Sequence, residues 1–179
     1  MVAGAGTSSG YRREGHTTGA SGWGRPPVGD YVGLVHTIDK AFADLTTREL
    51  YEILRLRVDV FVVEQACAYP ELDGHDLVPT TRHVWIPGDA ATGPIAYLRV
   101  LRASEALRIG RVVTHPDSRG RGLARMLLRS TVEAHADERI DIDAQAHLTA
   151  WYEQFGFRVS GDEFLDFGIP HLPMTRMPR

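Results

Sequence analysis

The chain has 179 residues, 43% of them hydrophobic, which suits one domain with one core and argues against two. Its 20 basic and 23 acidic residues leave a net charge of -3 and a pI near 6.2, without the basic footprint of a dedicated nucleic-acid binder. With Cys67 its one cysteine, no apolar run approaching roughly 18 residues and no charged-then-apolar opening segment, the expected setting is reducing and cytoplasmic, with no membrane partner.

Residues 1–31 are rich in Gly, Ser and Thr and nearly free of branched aliphatics, a composition that predicts a disordered leader. One folded domain is expected over residues 32–179. Val35 to Phe42 reads as a strand, and Thr46 with Glu49 forms a capping box that opens a helix with Leu50, Ile53, Leu54, Val58 and Phe61 on its apolar face. Ala68 to Thr81, which contains Pro70, Gly74 and Pro79, reads as an irregular functional loop. Three strands follow at Arg82 to Ile86, Ile95 to Leu101 and Leu107 to Thr114, an antiparallel meander. The remainder predicts a helix from Arg121 to Ala136, a strand with Ile140, Ile142 and Ala144 on one face, a helix from Leu148 to Phe155, and closing strands at Phe157 to Val159 and Leu172 to Arg176. This order favours an α/β (α+β) fold with helices on both faces of a mixed sheet.

The segment Val112 to Ala124 carries the most chemical information, because a strand runs through a glycine-bearing turn directly into a helix. Free N–H groups and the macrodipole make such a helix start an anion site, and Gly120 and Gly122 let the backbone approach a ligand without a Cβ in the way. Arg119, Arg121 and Arg125 add full charges. The bland alternative is a helix start with small residues for packing and arginines for solubility. A P-loop is excluded because no Gly-Lys-Ser/Thr follows, and the dinucleotide fingerprint is excluded by the glycine spacing. What remains is Arg119-x-x-Gly122-x-Ala124 after an apolar strand.

In that motif the chain resembles the GNAT acetyltransferase superfamily, whose coenzyme A motif is Gln/Arg-x-x-Gly-x-Gly/Ala at a strand-to-helix junction. A second motif, Ala150 to Phe157, is similar to the family's aromatic-Tyr-x-x-x-Gly-Phe segment. Val60 to Gln65, Asp73 to Asp76, Ala144 to Leu148 and Gly168 to His171 resemble the small bacterial ElaA branch. The resemblance spans about Val35 to Met177 and implies a mainly antiparallel central sheet and direct transfer of an acetyl group from acetyl-CoA to an amine, with no metal. The implied acceptor is an amine-bearing small molecule or a protein or peptide amine; a homodimer is left open. The backbone of Val112, Val113 and Thr114 would follow the pantetheine arm, and Arg119, Gly120, Arg121, Gly122, Leu123, Ala124 and Arg125 the pyrophosphate. Gln145 stands where many relatives have Asn, keeping an amide donor on a longer arm.

Tyr152 matches the family's general acid, and a phenol of pKa near 10 is nearly matched to a thiol near 8.5. Trp151, Tyr152, Phe155 and Phe157 also fit a core aromatic stripe, and the upstream motif tips the balance towards catalysis. Deprotonating a lysine-type amine at pH 7 costs about 4.6 kcal/mol and an α-amine about 1.4, so the acceptor decides whether a base is needed. The strand Arg108 to Arg111 carries no acid; candidates elsewhere are Glu64, His83, Asp143 and His147. The acidic run Glu71 to Asp76 reads as a solvated turn closed by Asx hydrogen bonds, since its spacing fits no calcium or zinc set. His36, His115, His135 and His171 read as surface or structural. A non-catalytic acyl-CoA-binding regulatory module is the rival reading.

Overall fold

A computed structural model describes residues 36–90 and 92–179. The leader expected over 1–31, and the start of the first expected strand, lie outside the described residues. Strand β1 spans Ile38–Ala41, and helix α1 spans Thr47–Arg57. The capping box is made as its residues predict: Glu49 N–H donates to Thr46 Oγ1 at 3.1 Å, and Thr46 N–H donates to Glu49 Oε2 at 2.8 Å. Past Arg57 the helix widens into a π-helical segment, Val58–Glu64, in which Gln65 N–H reaches back to Val60 O and Cys67 N–H to Val62 O. The buried stripe is Ile53, Leu56 and Val60, with Arg57 among them, at ordinary helical spacing, and Leu50, Leu54, Val58 and Phe61 are half-buried at its margin.

The strands β2 (Arg82–Pro87), β3 (Pro94–Arg102) and β4 (Leu107–Thr114) form the expected meander. Helix α2 covers Leu123–Ala134, β5 Ile140–Gln145, α3 Thr149–Glu153, β6 Arg158–Val159, β7 Phe164–Asp166 and β8 Ile169–Arg176. Helix α2 starts later than expected because Gly120 and Gly122 both sit at φ 74°, outside helical geometry. Strand β7 was not anticipated; it folds back on β8 through Phe167 and Gly168, both at positive φ. Among the described residues the sheet runs β1-β2-β3-β4-β5-β8-β6, with β7 also paired to β8, and only the β4–β5 contact is parallel. The mixed, mainly antiparallel sheet is therefore as expected.

Two apolar clusters occupy its two faces. Leu98, Ile109, Leu127, Leu128, Ile142 and Phe157 pack beneath α2 and α3, while Ile53, Leu56, Val60, Trp85, Tyr97 and Val113 pack beneath α1. Burial of each such large side chain contributes about 1.5–3 kcal/mol. No helix among the described residues is long and apolar enough to cross a membrane.

The feature that makes room for a ligand lies between β4 and β5. They pair only at Leu107 with Ile140 and Arg108 with Asp141, then part. The separation begins where β4 bulges: the register with β3 slips between Tyr97 and Arg99, and Arg111, across the slip, has φ 55°.

Candidate active site

The gap between β4 and β5 widens into a cleft of about 810 Å³, within the range of small-molecule sites. Its β4 wall is Ile109 to Thr114 and its β5 wall Ile142, Asp143 and Gln145. His115 N–H donates to Ile95 O at 3.0 Å, so by the alternation of an antiparallel ladder Val113 also faces β3. The peptide groups of Val112 and Thr114 consequently turn towards the gap, whereas those of Val113 are engaged with β3.

The cradle closes one end. Gly122 caps α2 with no side-chain cap, and Met126 N–H returns to Gly122 O. The amides of Leu123, Ala124 and Arg125 are therefore free of helical partners. A Cβ placed on Gly120 or Gly122 would meet no atom within 4 Å, so the space above this turn is open, as an anion site requires. Arg125 lies over the Phe155 ring at 5.7 Å and thereby joins the cradle helix to the aromatic segment. Arg119 is held by a two-pronged bond to Glu64, both arms 2.8 Å, and its Nε donates to Thr114 O. Arg121, between two glycines at positive φ, is exposed and lies outside the cleft lining, so what it can offer the cradle is its backbone amide rather than its charge.

Tyr152 lines the cleft from α3 and is buried, with Trp151 and Phe157 edge-on to its ring at 4.8 and 6.0 Å. Among the described residues nothing hydrogen-bonds its hydroxyl. Burial pushes the phenol up to about 12. Handing its proton to a thiolate of pKa near 8.5 then costs about 5 kcal/mol, against about 2 for an ordinary phenol, so the near-balance expected from the sequence does not hold for the buried hydroxyl.

The base candidates separate. Glu64 and Asp143 line the cleft but are engaged, Glu64 by Arg119 and Asp143 by Arg108, which reaches across the gap just past the last paired residues. The bond from Arg119 lowers the Glu64 carboxyl below its usual range. His147 lines the cleft and is exposed. His83 is withdrawn as a candidate: it is fully buried beside Tyr97 OH (2.9 Å) and Asp76 O (3.2 Å), outside the cleft. Gln145 lines the cleft, its amide 3.4 Å from Gln65 Oε1.

The acidic run is not the solvated turn its composition suggests. The Asx bond is present, His75 N–H to Asp73 Oδ1 at 3.0 Å, but Glu71 and Asp76 are buried. Arg57 donates to Glu71 Oε1 at 2.5 Å and to Asp76 Oδ1 at 2.7 Å, and Arg99 donates to Asp73 at 2.6 and 2.8 Å and to Asp76 at 3.0 Å. Arg111 Nε lies 2.7 Å from Glu71 Oε2 without the alignment of a hydrogen bond, and its Nη2 donates to Asp73 at 3.2 Å. Three guanidinium groups thus balance three carboxylates, which clamps the bulge of β4 from behind and leaves no free charge in the loop for an amine. Tyr69, hydrogen-bonded to Glu71, and Phe167 meet at 5.5 Å on the cleft wall, joined there by His171. Of these three, His171 reads from the sequence as surface or structural; its one signal is its place in the Gly168 to His171 stretch.

A family model described as an acetyltransferase (GNAT) domain matches residues 82–177. A UPF0039 protein of Mycobacterium tuberculosis is 52% identical over 136 residues, covering 74% of this chain and 87% of that protein. The crystal structure of Escherichia coli ElaA superposes with a TM-score of 0.73 at 35% identity, over 79% of this chain and 99% of that one. An acyl-CoA N-acyltransferase from Pseudomonas aeruginosa gives a TM-score of 0.74 at 40% identity, over 79% and 98%. The family model spans more than half of the chain and the relatives cover most of it, so the chain belongs to the GNAT acetyltransferase superfamily, in its ElaA-like branch.

Proposed function

We propose that this protein transfers an acetyl group from acetyl-CoA directly to an amine, on a small molecule or a peptide. One observation carries the reading: a helix N-terminus with open left-handed glycines opens into a gap between parted strands, with a free tyrosine hydroxyl in the same wall. The coenzyme would supply an activated thioester. The amides from Gly120 to Arg125 would hold its pyrophosphate, and the peptide groups of Val112 and Thr114 its pantetheine arm, as the strand they lack would have done. Arg119 would exchange Glu64 for phosphate, and Gln145 would reach the arm from the β5 side. Tyr152 would donate a hydrogen bond, and at completion a proton, to the departing sulfur.

The test incubates the full chain with acetyl-CoA and a panel of amines while free thiol is followed. Wild type should release thiol, and Tyr152→Phe should keep its coenzyme dissociation constant while kcat falls by about 10²–10⁴. Coenzyme binding without thiol release from any amine would favour the non-catalytic module. Unchanged kcat with weakened binding would make Tyr152 a binding residue.

A further inference from the structure

We infer that His171 is the general base that takes the proton from the attacking amine. This rests on the acyltransfer reading and supplies the group that the sequence left unassigned. Strand alternation sorts the cleft into two sides. Ile142 and Ala144 of β5 belong to the core that contains Tyr152, so Asp143 and Gln145 project from the opposite face. His171 pairs with Gln145 across β5 and β8 and shares that face. Acid and base therefore approach the gap from opposite sides of the sheet, so the proton taken from the amine and the proton given to sulfur pass through separate groups.

The proton inventory of His171 is settled by its own strand. His171 Nδ1 lies 2.8 Å from Ile169 O, and a carbonyl oxygen only accepts, so Nδ1 carries the hydrogen. The neutral ring then bears its lone pair on Nε2, and the same carbonyl stabilises the imidazolium formed when Nε2 takes a proton. Phe164 stacks on the ring at 5.9 Å and 28°, which fixes its plane. The other carboxylate, imidazole, phenol and thiol groups lining the cleft lack this preparation: Cys67 is buried with its Sγ directed at Phe167 O. Glu64 and Asp143 are engaged by arginines, Tyr69 donates to Glu71, His147 has no ring partner among the described residues to set its tautomer, and Asp166 sits on the exposed edge strand.

In the step so assigned, the nitrogen of a neutral amine bonds to the thioester carbonyl carbon and the bond from that carbon to sulfur breaks. The nitrogen's proton passes to His171 Nε2, the electron pair leaves with sulfur, and sulfur takes the Tyr152 proton. Solvent then returns a proton from imidazolium to phenolate, so amine and thioester become amide and thiol with both side chains restored.

Two measurements on the full chain test this. Nitrogen-15 NMR of the imidazoles, with the His171 resonances assigned by loss in His171→Asn, should show Nδ1 protonated and Nε2 bare; the reverse tautomer overturns the inference whether or not an acceptor is known. His171→Asn keeps a donor near Nδ1 but has no Nε2, so with an active amine kcat/KM should fall by about 10²–10⁴. The acid limb of its pH profile should disappear, and acetyl-CoA affinity should hold. His171→Ala should recover part of the rate in added imidazole, which a purely structural role would not allow. Wild-type kcat/KM in both variants, or a loss matched by weakened coenzyme binding, would overturn the assignment. A wild-type protein that acetylates no amine would instead defeat the transferase reading.

Discussion

Gly122→Ala separates backbone shape from side-chain charge in the cradle. Gly122 has φ 74° and ψ 13°, where a residue with a Cβ pays about 1–2 kcal/mol. No atom lies within 4 Å of the added methyl, so conformation alone sets the loss of stability. For a chain of this size that corresponds to a melting temperature lower by about 2–8 °C. The effect on acetyl-CoA should be larger in proportion, because the methyl projects into the open space above the amides and the strained turn relaxes away from the geometry that aims them. Loss of one charge-assisted amide bond, about 1.5–3 kcal/mol, weakens binding about 10- to 150-fold. Arg121→Ala removes an exposed charge outside the lining and should cost about 0–1 kcal/mol, no more than about fivefold. Calorimetry with acetyl-CoA and thermal melts on both variants decide the matter. Equal weakening by Arg121→Ala, or a Gly122→Ala protein that melts lower yet binds unchanged, would refute a cradle built from amides.

Arg57→Met should leave Asp76 with Arg99 and Glu71 with Arg111, one cation short for the buried carboxylates, and lower unfolding free energy by about 3–5 kcal/mol; a urea midpoint that moves by the equivalent of less than about 1 kcal/mol would contradict the arrangement. Acidification should act in two stages. Burial holds the His83 imidazole below its ordinary range, so its contribution is present above the unfolded value near 6.5 and is lost as pH falls below it. Burial alone would raise the Asp73 carboxyl, yet the bonds and charge of Arg99 outweigh it and hold the group at about 2; this contribution is present above the unfolded value near 3.9 and disappears as pH falls towards about 2. Melting temperatures from pH 8 to 2 should show both declines and His83→Gln only the lower one, whereas a flat profile above pH 3 would exclude the upper stage.

The legible parts of the molecule were those whose causes are local. Strand β4 ends where its residues predict, the capping box needs only Thr46 and Glu49, and the glycines of the cradle announce a turn without reference to any distant residue. The illegible parts depend on partners far along the chain. Glu71 and Asp76 look like loop acids until Arg57, 14 and 19 residues away, is found beside them. The bulge at Arg111 has no glycine of its own at the position of positive φ and is held by Glu71 and Asp73. The π-helical segment conceals itself in Val58 to Val63, a valine-rich run that fits a helix face at either period. His171 gains its meaning only when β7, too short to be read, brings Phe164 against it.

The ion-pair cluster also determines where this chain can change its length. Irregular surface loops are ordinarily the places that accept insertions, because nothing beneath depends on their spacing. Residues 71–76 form an exception, since their three carboxylates meet guanidinium groups from α1, β3 and β4 at fixed intervals. One residue added between Asp73 and Asp76 would pull a carboxylate out of reach of Arg99 and loosen the clamp on the β4 bulge. The turn at 103–106 is closed by a backbone bond, Ala103 N–H to Ala106 O at 3.0 Å, and length variation compatible with the fold belongs there.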